Sequence, residues 1–166
     1  MVPNIGYISL ILASIISLFQ FLHLRNLNKK KFFGTEVMGT LQFGFVLTAF
    51  LSLMYSYIVS DFSVLDVYLN SHTAKPLLYK ISGVWGNHEG SMLLWVLVLT
   101  FFGFLISNFD ERINYQYKTL TLSFQSLITF IFLLFILFTS NPFVKIFPIP
   151  DNGQDLNPLL QDPGLA

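Results

Sequence analysis

The chain has 166 residues, of which 54% are hydrophobic and only 11% charged, with nine basic and nine acidic side chains and a mean hydropathy of +0.64. So few charges cannot cover the surface of a soluble globule, and the composition therefore predicts a membrane protein. A net charge of zero gives no indication of nucleic-acid binding. Because there is no cysteine, disulfides, thiolate metal sites and the covalent haem attachment of a c-type cytochrome are excluded.

Hydropathy predicts four membrane-spanning helices, since four apolar segments are long enough to cross ~30 Å of hydrocarbon. None of them contains Asp, Glu, Lys or Arg, which argues against an ion pump, because a pump needs ionisable groups at membrane depth. The predicted fold class is therefore an all-α integral membrane protein with a long outer-face loop and an extended, proline-rich tail. The predicted helices cover residues 5–24, 38–59, 91–109 and 120–139, the bundle covers residues 1–139, the loop residues 60–90 and the tail residues 140–166.

The basic residues predict the orientation of these helices. Four lie in the loop after the first helix and two in the loop after the third, against three on the opposite side. The positive-inside rule then places the loop at 60–90 and both termini on the outer face. Abundant Phe, Ile, Asn and Lys favours a mitochondrial inner membrane, with a bacterial inner membrane as the alternative.

Small residues predict how the helices pack. Ser9, Ala13 and Ser17 recur every four residues on the first helix, and Gly103 and Ser107 do so on the third. Such faces let backbones approach closely in a membrane, and a groove for a lipid or a flat cofactor is the alternative. The amides predicted to form hydrogen bonds between helices are Gln20, Gln42 and Gln125.

The most informative stretch is residues 79–95, YKISGVWGNHEGSMLLW, a polar and glycine-rich junction that leads directly into a predicted span. Trp85 and Trp95 are the only tryptophans, and their rings suit the depth of lipid headgroups. The polar groups between them would be costly to leave unpaired, so we expect this stretch to contact a partner. The motif residues are Gly83, Trp85, Gly86, Asn87, His88, Glu89, Gly90 and Ser91.

This stretch, together with SDFSVL at residues 60–65 and DLNPLLQDPGLA at residues 155–166, resembles the N-terminal part of the CcmF family. The family's members are integral-membrane haem lyases of cytochrome c maturation and are several times longer than this chain. In similar sequences the last block leads into a histidine-proline-proline stretch with a haem-binding histidine, and this chain stops just before it. The motif residues of the last block are Asp155, Asn157, Pro158, Gln161 and Asp162.

The resemblance implies a subunit of a cytochrome c haem lyase that is not catalytic alone. Its cofactor would be haem, bound by the assembled complex and not by this chain, and no catalytic or metal-binding residue is assigned. Its partners would be the remaining haem lyase polypeptides and membrane lipid, with no nucleic acid. The alternative is a non-catalytic structural subunit of a larger inner-membrane respiratory assembly.

Two interpretations of the motif's polar centre stay open. In one, Trp85, His88 and Glu89 lie close to haem, or His88 ligates its iron. In the other, His88, Glu89 and Ser91 satisfy free backbone N–H groups at the start of the third helix, with Ser91 as its N-cap. A zinc-protease site is excluded, because the His-Glu pair is not followed by a second histidine at the required spacing.

The rest of the outer loop and the tail carry weaker signals. Apolar residues spaced by three and four at residues 62–69 predict a short amphipathic helix on the membrane, capped by Asp61. We expect His72 to be solvated. Prolines exclude a long helix in the tail, whose apolar side chains predict that it lies against another surface.

Overall fold

The computed structural model describes residues 1–25, 34–109 and 114–154. Four of its helices, α1, α2, α5 and α6, are long and apolar enough to cross a membrane by length and composition. The predicted all-α membrane class is therefore confirmed. The helices are α1 Val2–Arg25, α2 Thr35–Ile58, α3 Leu65–Asn70, α4 Leu77–Gly83, α5 His88–Phe109 and α6 Tyr115–Phe138.

The spanning helices begin three to five residues earlier than hydropathy predicts. Hydropathy detects the part of a helix that crosses hydrocarbon, whereas backbone hydrogen bonding continues into the polar residues at its end. As a result, Glu36, Glu89 and Lys118 lie near the starts of α2, α5 and α6. The apolar spans themselves are located correctly.

The four spanning helices form a bundle in which each one packs antiparallel against two neighbours, in the cyclic order α1, α2, α5, α6. The small residues predicted to face other helices, on α1 and α5, are all buried. Lipid offers no hydrophobic driving force between helices, so close backbone approach of this kind stabilises the bundle. Leu10, Val46, Leu53, Leu93 and Leu133 fill its core and are fully buried.

Buried polar side chains add hydrogen bonds between the helices. Gln42 of α2 donates to the Ser17 hydroxyl of α1 at 2.8 Å. Gln125 of α6 donates to the backbone carbonyl of Leu99 on α5. The third predicted amide differs, because the buried Oε1 of Gln20 has no hydrogen-bond partner among the described residues.

One end of the bundle is covered by residues 59–87 and 139–154, which we call the cap. At this end α1 and α5 begin while α2 and α6 end. The tail crosses the loop there, since the Leu65 N–H donates to the Val144 carbonyl at 2.8 Å and the Ile146 N–H donates to the Ser63 carbonyl at 3.1 Å. Phe143 is buried beside Gly6 of α1, so the tail is also held against the bundle.

Three details of the cap differ from the sequence predictions. The short helix is α3, Leu65–Asn70, which begins three residues later than predicted, and Phe62 of the predicted membrane face precedes it and is buried. Asp61 does not cap α3, because its carboxylate accepts hydrogen bonds from the backbone N–H and the hydroxyl of Ser63. The His72 ring is not simply solvated, since it accepts from the Ala74 N–H and its Nε2 lies 2.9 Å from the amide of Asn152.

We expect Gln42→Met to lower the free energy of unfolding in detergent by about 1 kcal/mol, because the substitution keeps the volume but removes the bond to Ser17. Thermal unfolding followed by circular dichroism measures this loss. Gln116→Met is the matched control, since Gln116 is exposed at the start of α6. Equal losses for both variants would show that the bond between α1 and α2 contributes nothing.

Candidate functional site

The polar centre of the motif is organised by Asn87, which caps α5. Its side-chain oxygen accepts from the Gly90 N–H at 2.6 Å, and its backbone carbonyl accepts from the Ser91 N–H at 3.1 Å. This is the geometry of an N-cap residue. The prediction that Ser91 caps the helix is wrong, because α5 begins three residues earlier and the Ser91 hydroxyl donates to the His88 carbonyl at 3.0 Å.

Gly90 allows α4 and α5 to meet closely. A Cβ at this position would collide with the backbone carbonyl of Val84, which is rigid and fully buried. Glycine is the residue that permits such a backbone approach. Gly83 is a milder case, since a Cβ there would touch the Tyr57 ring at an ordinary distance of 3.5 Å.

Asn87 also joins a buried group of polar side chains that we call the Tyr57 cluster, consisting of Tyr57, Asp66, Asn70 and Asn87. The Asn87 amide donates to the Tyr57 hydroxyl at 2.6 Å. That hydroxyl donates to the Asp66 carboxyl at 3.1 Å, and the Asn70 amide donates to the same carboxyl at 3.1 Å. The cluster thus links the end of α2, the helix α3 and the start of α5.

The carboxyl of the Tyr57 cluster lies in an unusual electrostatic environment. Asp66 is 5% exposed, and the Tyr57 side chain beside it is fully buried. Burial raises the pKa of Asp66 to about 7, the hydrogen bond from Tyr57 opposes that rise, and the negative charge of Glu89 adds to it. The carboxyl therefore changes its protonation near neutral pH, and its hydrogen bonds serve to hold the three helices together.

Trp85, His88 and Glu89 of the motif lie outside the Tyr57 cluster and differ in their exposure. Trp85 is 42% exposed on the cap. The exposed His88 ring meets the edge of Phe135 on α6 with centroids 6.4 Å apart, whereas Glu89 is half-buried in the first turn of α5. A carboxylate in that position is favoured by the helix dipole. Trp85 and His88 are therefore exposed at this end of the bundle, and the proximity of Trp85, His88 and Glu89 to haem stays a prediction.

The described residues contain no cluster of side chains that could bind a metal ion. Within residues 1–25, 34–109 and 114–154, no three His, Asp or Glu side chains lie close enough together to hold a metal ion. The second motif block, Asp155, Asn157, Pro158, Gln161 and Asp162, lies outside the described residues.

Sequence reasoning missed Tyr57, Asp66 and Asn70. Tyr57 lies at the end of an apolar span, and Asp66 and Asn70 lie in a loop, so none stands out by hydropathy. The one available signal was the spacing of Asp66 and Asn70, which are four residues apart and therefore neighbours on a helix.

Comparisons with known proteins agree on one family. Residues 85–166 match the family described as Cytochrome C assembly protein. The chain is 46% identical over its whole length to the cytochrome c-type biogenesis protein ccl1 of Rhodobacter capsulatus, and 39% identical over 99% of its length to the cytochrome c-type biogenesis protein CcmF of Escherichia coli. Its fold matches 24% of a solved cytochrome c haem lyase CcmF with a TM-score of 0.70 and 25% identity, over 86% of this chain.

The chain belongs to the CcmF family. It is a multi-pass membrane protein related to bacterial cytochrome c biogenesis proteins. It spans about a quarter of the length of the curated relatives it matches, 26% in both ccl1 and the Escherichia coli CcmF. The family match begins at Trp85, so the N-cap Asn87 and residues 85–95 of the glycine-rich junction lie within the matched residues.

We expect Asn87→Ala to lower the free energy of unfolding by about 2 kcal/mol, because it removes both the cap of α5 and the donor to the Tyr57 hydroxyl. Ser91→Ala is the control and should change stability by less than about 0.5 kcal/mol, since its hydroxyl only bonds within the helix. Thermal unfolding of both variants in the same detergent decides between the two residues. The reverse order of losses would restore Ser91 as the cap.

Asp66 predicts a pH dependence of stability. Because its pKa in the folded chain, about 7, exceeds the value of about 3.9 in an unfolded chain, its contribution is fully present below about pH 4 and is lost as pH rises through 7. Within that window the wild-type chain should lose about 1.4 kcal/mol per pH unit relative to Asp66→Asn. Unfolding midpoints of both chains between pH 5 and 8.5 measure the difference. A midpoint that rises with pH relative to Asp66→Asn would show an ionised carboxyl instead.

Proposed function

We propose that this chain is the N-terminal piece of a split haem lyase that attaches haem to apocytochrome c, and that it contributes the scaffold and the outer-face cap. The observation that carries this proposal is the docking of the family's glycine-rich junction onto the Tyr57 cluster through Asn87. A chain that kept only a bundle-filling role would have no need for a cap built around that junction. Membership of the CcmF family supports the reaction class.

The proposal implies a division of labour. The lyase activity would belong to an assembly of this chain with the remaining haem lyase polypeptide. Haem is the substrate of that assembly, and its iron ligands come from the other polypeptide. On this chain, Trp85 of the cap and His88 at the start of α5 are exposed, and they can pack there against haem or the partner.

We further propose that the cap faces the intermembrane space of a mitochondrion. The basic residues in the loops after α1 and after α5 support this orientation, since they outnumber the three in the cap. Haem attachment to apocytochrome c would then take place at the cap. The composition of the chain supports the mitochondrial membrane over a bacterial one.

Replacing both His88 and Glu89 by alanine should reduce the yield of cytochrome c together with the association between this chain and its partner. The reason is that the two residues start α5 beside the exposed surface of the cap. Haem staining of cytochrome c and co-purification in mild detergent measure the two effects. Asp151→Ala is the control, because it removes an exposed carboxylate elsewhere in the cap.

The outcomes of that experiment separate the candidate roles. Loss of haem attachment with unchanged association would show that His88 or Glu89 handles haem. Co-purification with respiratory subunits, with unchanged cytochrome c yield when this chain is depleted, would contradict the lyase proposal and support a structural subunit.

A further inference from the structure

A shallow groove runs along α2 in the half of the helix that lies away from the cap. It consists of two adjoining depressions of about 270 and 320 Å³ that share Thr40 and Leu41. The first begins at Glu36 and is bordered by Asn108 of α5, and the second reaches Thr48. The groove is open to the surroundings of the bundle and is not filled by any described part of the chain.

Gly44, in the floor of this groove, makes room for no side chain of the described bundle. A Cβ at this position would meet no atom of the described residues within 4 Å. The other glycines inside α2 and α5 differ, since Gly39 makes room for the Ser107 hydroxyl and Gly103 for the Gln125 amide. Glycine destabilises the interior of a helix relative to alanine. At Gly44 no described residue occupies the space that a side chain would take, which indicates a neighbour outside this chain.

We propose that the groove holds a transmembrane helix of the remaining haem lyase polypeptide, an inference that rests on the function proposed above. The lengths of the relatives identify this occupant. This chain matches 24% of the solved haem lyase and 26% of the curated relatives, so most of each protein lies outside the matched bundle and must pack against it somewhere. The groove is the place where a glycine of the bundle, Gly44, makes room for no described residue.

The chemistry of the groove defines the surface of that helix. The Thr40 hydroxyl already accepts from the Asn108 amide at 3.2 Å, and the Thr48 hydroxyl donates to the Gly44 carbonyl at 2.8 Å. The incoming helix therefore needs no polar group at this depth, and an apolar face that packs closely over Gly44 fits best. At its end it would carry a basic side chain opposite the exposed carboxylate of Glu36.

A lipid acyl chain fits the same groove less well. The spacing of Thr40, Gly44 and Thr48 by four residues matches the packing surface that one helix presents to another.

Site-specific cross-linking from the groove tests the proposal. The chain has no cysteine, so Thr48→Cys creates a unique position for a benzophenone reagent, which is photoactivated in native membranes. Thr121→Cys is the matched control, because Thr121 is exposed on α6 outside the groove. We expect the label at position 48 to attach to an apolar peptide of the haem lyase polypeptide, at a yield at least about tenfold above that at position 121, a ratio that corresponds to about 1.4 kcal/mol.

Gly44→Leu supplies a second measurement. It should not lower the unfolding midpoint of the purified chain, since no described residue lies near a Cβ there and leucine favours a helix over glycine, while it should reduce co-purification of the haem lyase polypeptide about tenfold or more. Thr121→Leu should change neither quantity.

The outcomes separate this inference from the function on which it rests. If the wild-type chain captures the haem lyase polypeptide, but Gly44→Leu captures it equally and position 48 labels only lipid, the groove is a lipid site and the inference is wrong. If the wild-type chain captures no haem lyase polypeptide, the proposed function fails and the inference fails with it.

Discussion

The hydrogen bonds of Asn87 are the constraint on which the cap depends. One side chain accepts from the backbone of α5 and donates to the hydroxyl of Tyr57 on α2, so the start of one spanning helix is fixed to the end of another. Because the surroundings are buried, each of these groups would be costly to leave unpaired. The loop between the two helices is therefore held by these bonds together with its buried apolar side chains, Phe62, Val64, Val67 and Val84.

The bundle and the cap are stabilised in different ways. Between the spanning helices, small side chains such as Ser17 and Gly103 bring backbones together, and single amides such as Gln42 add hydrogen bonds. In the cap, strand-like bonds between the tail and the loop combine with the Tyr57 cluster. Changes in pH act on the cap, where Asp66 lies, and much less on the uncharged interior of the bundle.

Sequence predicted the architecture well and the site only in part. The four spans and their small faces follow from hydropathy and from the spacing of residues such as Ser9 and Ala13, because lipid imposes those patterns directly. The first residues of the helices and the N-cap of α5 cannot be predicted from these patterns. Asn87 and Ser91 are both good capping residues, and the choice between them depends on where α5 begins. Asp66 was missed because its partner Tyr57 lies on a different helix, and the two meet only in the folded chain.

The helix α2 connects the Tyr57 cluster with the proposed docking groove. Near its end, Tyr57 bonds to Asn87 at 2.6 Å, and in its other half Gly44 lies open to the outside. A helix moves along its axis as a nearly rigid rod, and a bond of this length tolerates a displacement of only a few tenths of an ångström before it weakens. A neighbour that packed over Gly44 would therefore fix the position of α2 and, with it, the geometry that holds the glycine-rich junction. On the proposed docking, assembly in the membrane and order in the cap would both depend on the same helix.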